Sequence, residues 1–236
     1  MNPSKSAGRA FALYLLLFAA IWTAYVLLVY RHVQALGEGG FLNVAAGFAV
    51  RLIVWVTPVF LMLAAVDRVA PLRALGLVDH WKRGVVAGIV LSGLLLAASW
   101  LRFGSPHDAS SHLSWSSVLG PSLATGFFEE IPFRGFILQQ FCTRMNFWPA
   151  NGLTSLIFAG FHLPGWLMLD LFSWPLALNI FAISFALGLV LRYSRSLWGA
   201  SSATTPTILS PSCFITAVER SWRWLHLIGP GRGVSG

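Results

Sequence analysis

The chain has 236 residues, 56% of them hydrophobic and 10% charged, where soluble domains carry about 25% charged. That balance excludes a soluble protein. The net charge of +8 does not indicate nucleic acid, because the basic residues are scattered among short loops between apolar runs.

Those apolar runs predict an all-α, polytopic transmembrane helical bundle. Ala10–Tyr30 carries no charge, and Phe41–Val66 carries only Arg51. Gly84–Leu101 is uncharged, and its Gly84 and Gly88 form a GxxxG pattern that suits close helix contact. Val118–Phe141 is apolar apart from Glu129, Glu130 and Arg134. Trp148–Leu169 and Trp174–Leu191 are uncharged. Each run is near the ~20 residues that a helix needs to cross a bilayer, giving six spans. A seventh run, about Leu197–Val218, is broken by Pro206 and Pro211. Residues 1–236 read as one integral membrane domain. The first run is long for a signal segment and no small-residue cleavage site follows it soon, so it reads as a retained span.

The loops alternate in charge. Lys5 and Arg9 precede the first span. Arg68, Arg73, Lys82 and Arg83 fill the second loop, Arg144 the fourth, and Arg192 and Arg195 the sixth. The intervening loops are poor in base, so the positive-inside rule puts the N-terminus in the cytosol of a multi-pass protein of a prokaryotic cytoplasmic membrane. Cys142 and Cys213 are isolated thiols without metal spacing. His107 and His112, five apart in the Ser-rich third loop, read as solvated loop residues. Arg51 reads as a structural group that snorkels or pairs with an acid inside the bundle.

The fourth span carries the chemistry. Ionisable groups at membrane depth are costly and normally mark a functional interior. Glu130 and Arg134 are four apart and can pair on one helix face. Glu129 lies about 100° round the helix and is left for other work. A carboxylate in apolar surroundings holds its proton more tightly, which suits a general base acting on water. Pro132 has no N–H for the carbonyl of Phe128, so the helix should open beside Glu129. In the fifth span His162 lies one turn beyond Phe158 on the same face. Adjacent antiparallel spans can bring Glu129 and His162 to one depth, a minimal pair for holding and activating water.

On these residues the chain resembles the CAAX prenyl endopeptidase and bacteriocin-processing (CPBP, or abortive-infection) intramembrane proteases. Glu129, Glu130 and Arg134, followed by Gly135, match the family's Glu-Glu-x-x-x-Arg motif. Phe158 and His162 match its Phe-x-x-x-His motif, and Gly188 with Ser196, Leu197 and Trp198 matches the approach to its third. The resemblance covers roughly Val85 to Ala200. It implies a helical intramembrane endopeptidase whose partner is a membrane-proximal peptide or protein. Carried over, Glu129 is the base, Glu130 and Arg134 support it, and His162 helps to hold the water. The family is commonly labelled a metalloprotease, so zinc or another divalent metal is an implied cofactor, although glutamate-activated water needs none.

The chain departs from the family after residue 200. A His-x-x-x-Asn motif should follow Ser-Leu-Trp, but the sequence reads SLWGASSATTPTILSPSC. A frame shift would account for this. With serine encoded as TCN and threonine as ACN, starting each codon one base earlier makes Ser201 and Ser202 apolar. It also permits a histidine where Thr204 stands and an asparagine where Ile208 stands, which is the missing spacing. The nucleotide sequence around codon 200 tests this. As written, residues 201–236 are atypical, and losing an oxyanion donor costs about 10²–10³ in rate, so the chain is expected to fall short of the activity of its relatives. Two other readings compete: a proton-coupled transporter using Glu129 and Glu130, which should show inverted repeats that the sequence lacks, and a non-catalytic membrane scaffold.

Overall fold

A computed structural model of the chain describes residues 5–30, 32, 41–103 and 123–208. The described residues form helices joined by turns. Helix α1 (Lys5–Ala24) continues as the π-helical turn π1 (Tyr25–Val29). Next, α2 (Phe41–Arg51), π2 (Leu52–Val56), α3 (Thr57–Leu61) and π3 (Met62–Val66) follow without a break. A short α4 (Pro71–Ala74) precedes α5 (Trp81–Phe103). Then α6 (Leu123–Glu130), π4 (Ile131–Ile137) and α7 (Leu138–Cys142) form one interrupted helix. The chain continues through α8 (Phe147–Met168), α9 (Trp174–Ser194) and α10 (Leu197–Ile208).

Among the described residues, three stretches are long and apolar enough to cross a bilayer by length and composition: Ala7–Val29, Ala45–Val66 and Trp174–Ser194. Helices α5 and α8 have 23 and 22 residues, so each is also long enough at 1.5 Å per residue. Large apolar side chains face outward along the described helices, among them Leu16 at 70% exposure, Leu94 at 63% and Leu178 at 64%. Water would penalise that surface and hydrocarbon would not. The fold is therefore an all-α helical bundle of an integral membrane protein. Of the broken seventh run, α10 passes through Pro206 to Ile208, and the rest lies outside the described residues, as do His107, His112 and Cys213.

Small residues let α10 lie against α5. A methyl group added at Gly84 would stand 2.8 Å from Ser196 Cβ and 2.9 Å from the Gly199 amide nitrogen. One added at Gly88 would collide with Ser202 Oγ and the Gly199 carbonyl. Ser92 donates to the carbonyls of Gly88 and Ser202 at 2.8 and 3.3 Å across the same seam. The GxxxG pattern is thus a packing surface. A larger core gathers aromatic rings from α1, π2, π4 and α8. Phe18 meets Trp55 at 5.4 Å, Phe133 at 5.9 Å and Phe161 at 4.6 Å between ring centroids.

One end of the bundle is laced together. Gly76 has φ +67, a left-handed conformation that glycine adopts without strain. Its carbonyl accepts from Leu197 N and Ser196 Oγ, each at 3.2 Å, and Trp198 Nε1 donates to the Leu77 carbonyl at 2.9 Å. Gln140 Nε2 donates to Asp67 Oδ2 at 2.7 Å. The second, fourth and sixth loops therefore share one end of the bundle, as the alternation of charge requires.

Candidate active site

The acidic helix is shaped by its proline. Pro132 cannot donate to Phe128, and after Glu130 the helix widens into π4, all seven residues of which are buried. Such π-helical insertions recur at functional sites. Gly135 gives room on this turn, because a methyl group there would lie 2.6 Å from Leu75 Cδ2.

Arg134 is the hub. Its Nη1 donates to Glu130 Oε1 at 2.9 Å, and the two side chains are 1% and 0% exposed. Its Nη2 donates to the Ser184 carbonyl of α9 at 3.2 Å. Its guanidinium carbon stands 4.4 Å from the centroid of the Phe158 ring on α8. One side chain thus ties three helices, and the buried charges of Glu130 and Arg134 are matched as the spacing predicts. The Phe158 ring in turn meets the His162 ring at 4.8 Å. Four of the five residues singled out in the sequence, Glu130, Arg134, Phe158 and His162, form one contiguous chain of contacts.

Glu129, the fifth, is half-buried. Among the described residues its carboxylate makes no ion pair. No hydrogen bond joins it to His162, whose side chain bonds instead within its own helix. Its level is set by the packing. Arg134 lies over Phe158, and Phe133 meets both Phe158 and Phe161 at 4.9 and 5.2 Å. One turn back from Arg134 is the Glu129–Glu130 pair. One turn on from Phe158, in the antiparallel α8, is His162. The two motifs come to the same level of the bundle.

His162 Nδ1 lies 2.9 Å from the Phe158 carbonyl oxygen. A carbonyl only accepts, so Nδ1 is the donor, and in the tautomer protonated there Nε2 is left to accept. The Trp166 ring lies tilted against it, 5.5 Å between centroids. Two residues on, Pro164 removes the helical donor of the Gly160 carbonyl, and Trp22 Nε1 of α1 donates to the nearby Phe161 carbonyl at 3.0 Å.

Sequence reasoning did not find Ser184 or Trp22, because both act on backbone carbonyls and leave no motif. Arg51 bonds by Nη1 to the Gly47 carbonyl at 3.3 Å, and its expected alternative, an acid partner in the bundle, is not found among the described residues.

Among the described residues no group of three His, Cys, Asp or Glu side chains is placed to hold a metal ion. A catalytic zinc takes three protein ligands, and Glu130 is committed to Arg134. The described residues do not fit the divalent metal that the family label implies.

A family model, type II CAAX prenyl endopeptidase Rce1-like, matches residues 110–203. That span holds both motifs and stops just before Thr204, where the departure from the third motif begins. No curated protein and no solved structure matches the chain. Residues 110–203 of the chain are thus similar to the Rce1-like type II CAAX prenyl endopeptidases.

Proposed function

We propose that the chain is an intramembrane endopeptidase that hydrolyses a peptide bond near the membrane with water activated by Glu129. The observation that carries the reading is the convergence, at one level of the bundle, of a carboxylate that makes no ion pair among the described residues and an imidazole whose Nδ1 is occupied by a carbonyl. Glu129 takes a proton from water while Nε2 of His162 accepts the other water hydrogen and aims the oxygen. The water oxygen attacks the scissile carbonyl. The C–N bond then breaks, and Glu129 returns its proton to the leaving amine. Arg134 holds Glu130 in its ion pair, and Glu129 is the carboxylate assigned to exchange protons with the water. No step passes through a metal.

The substrate class is a C-terminal Cys-a-a-X sequence carrying a prenyl group on its cysteine, the class named by the matching family. The positive-inside rule assigns the laced, base-rich end, and with it the N-terminus, to the cytosol.

Purified full-length protein in detergent, given prenylated and plain membrane-proximal peptides, tests the reading. Cleavage that falls by about 10²–10⁴ in Glu129→Gln and in His162→Ala supports it. Intact peptides together with proton flux in liposomes would replace it with a carrier. Chelator treatment should leave cleavage unchanged.

A further inference from the structure

We propose that Arg51 is the anchor for the free carboxylate at the C-terminus of the substrate peptide; the proposal rests on the endopeptidase reading above. Phe48 packs on Phe128 at 5.6 Å and Trp55 on Phe133 at 5.7 Å, so α2 with π2 runs alongside α6 with π4. Phe48, Arg51 and Trp55 fall at i, i+3 and i+7, one stripe of the helix. Arg51 therefore lies between two side chains that touch the acidic helix. Glu129 and Glu130 lie between those same two contacts on the other side, which puts Arg51 at the tier of the catalytic pair.

Among the described residues the charge of Arg51 meets no carboxylate. Its Nε is buried without a hydrogen-bond partner. Its Nη1 reaches only the Gly47 carbonyl, and among the described residues it makes no ion pair. The other intramembrane arginine, Arg134, is matched by a carboxylate, a carbonyl and a ring. A cation at membrane depth is costly unless it is used. The remaining N–H groups form the planar fork that binds a carboxylate in two-point fashion.

Position separates an anchor from an oxyanion donor. An oxyanion donor must stand about 2.7–3.1 Å from the reacting oxygen. The guanidinium of Arg51 is instead turned back one helical turn toward Gly47, away from the level of Glu129. A peptide cut between cysteine and the three residues that follow holds its terminal carboxylate about 10 Å from the scissile bond when extended. The proposal has the peptide run so that its carboxylate end lies toward Gly47, the side to which the Arg51 guanidinium is turned.

The test measures binding apart from cleavage. A fluorescent prenylated peptide ending in Cys-aliphatic-aliphatic-X is made as the free acid and as the carboxamide. Each is titrated into full-length Glu129→Gln protein with Arg51 intact, and with Arg51→Gln or Arg51→Lys added. The acid should bind at least about tenfold more tightly than the amide, a gap of one decade in Kd. Arg51→Gln should close the gap, and Arg51→Lys should keep part of it. With Glu129 present, Arg51→Gln should raise KM for the acid toward that for the amide and leave kcat nearly unchanged. Equal binding of acid and amide to protein with Arg51 intact overturns the proposal, as does a gap that survives Arg51→Gln. If Arg51→Gln fails to fold, the acid–amide comparison with Arg51 intact and the Arg51→Lys titration decide. An Arg51-dependent gap in a protein whose Glu129 form cuts neither peptide would remove the protease reading and leave the anchor standing.

Discussion

Arg134 shows how much a single position can hold. Its three contacts satisfy a buried acid, cap a carbonyl of a distant helix and cover a ring. Arg134→Ala leaves Glu130 buried without its cation and should cost about 3–5 kcal/mol of stability. Arg134→Met combined with Glu130→Gln removes both charges and should recover much of that loss, read as thermal unfolding in detergent. If the double variant is no more stable than the single one, the ion pair is not what stabilises this level. The pair itself was legible in the sequence, because four-residue spacing on a helix leaves little choice of geometry. Glu129 as the unpaired member followed from the same helical angle. The Ser184 contact was not legible, since a backbone carbonyl has no residue signature. The commitment of His162 Nδ1 to its own helix was hidden for the same reason.

At the scale of the helix, proline was the informative residue. A missing N–H at Pro132 is a certainty of covalent structure, and it announced that the acidic helix would open where π4 now runs. The pattern did not reveal how the opening would be accommodated, by a wider turn and not a kink, because that depends on neighbours such as Leu75 and Phe133. Pro132→Ala restores the donor and should let the turn contract. The expected result is unchanged or raised thermal stability with cleavage lowered by at least about tenfold, the signature of a local feature kept for function. A drop in stability with activity retained would say that the wide turn is only structural. Gly88→Ala argues at the same scale. Serine 202 can rotate away, but the Gly199 backbone cannot, so α5 and α10 must part, and a cost of about 1–3 kcal/mol is expected on unfolding. The ends of helices α8 and α9 lie within a few residues of the ends of the apolar runs Trp148–Leu169 and Trp174–Leu191. The register of α1 against π4 depends on Phe11, Phe18 and Phe136 interlocking, which composition does not encode.

Across the whole molecule, hydrogen bonds gather the second, fourth and sixth loops at one end of the bundle. Asp67 at that end is held above the ordinary carboxylate range, first by burial, with the Gln140 hydrogen bond and the charge of Arg144 acting the other way. The folded state thus binds this proton more tightly than the unfolded one. The contribution of Asp67 to stability is greatest below the ordinary range, near pH 4. It declines as pH rises through the raised value. Asp67→Asn keeps an oxygen for Gln140 and should flatten that decline in melting curves taken from pH 4 to 7; an unchanged slope would place the titration elsewhere. The lacing has a mechanical consequence as well. With α10 stitched to the turn at Gly76, that end is expected to serve as the pivot if helices part at the other end to admit the proposed substrate. A disulfide engineered across positions 77 and 198 should then leave turnover untouched, whereas slowed turnover would mean that the pivot itself must open.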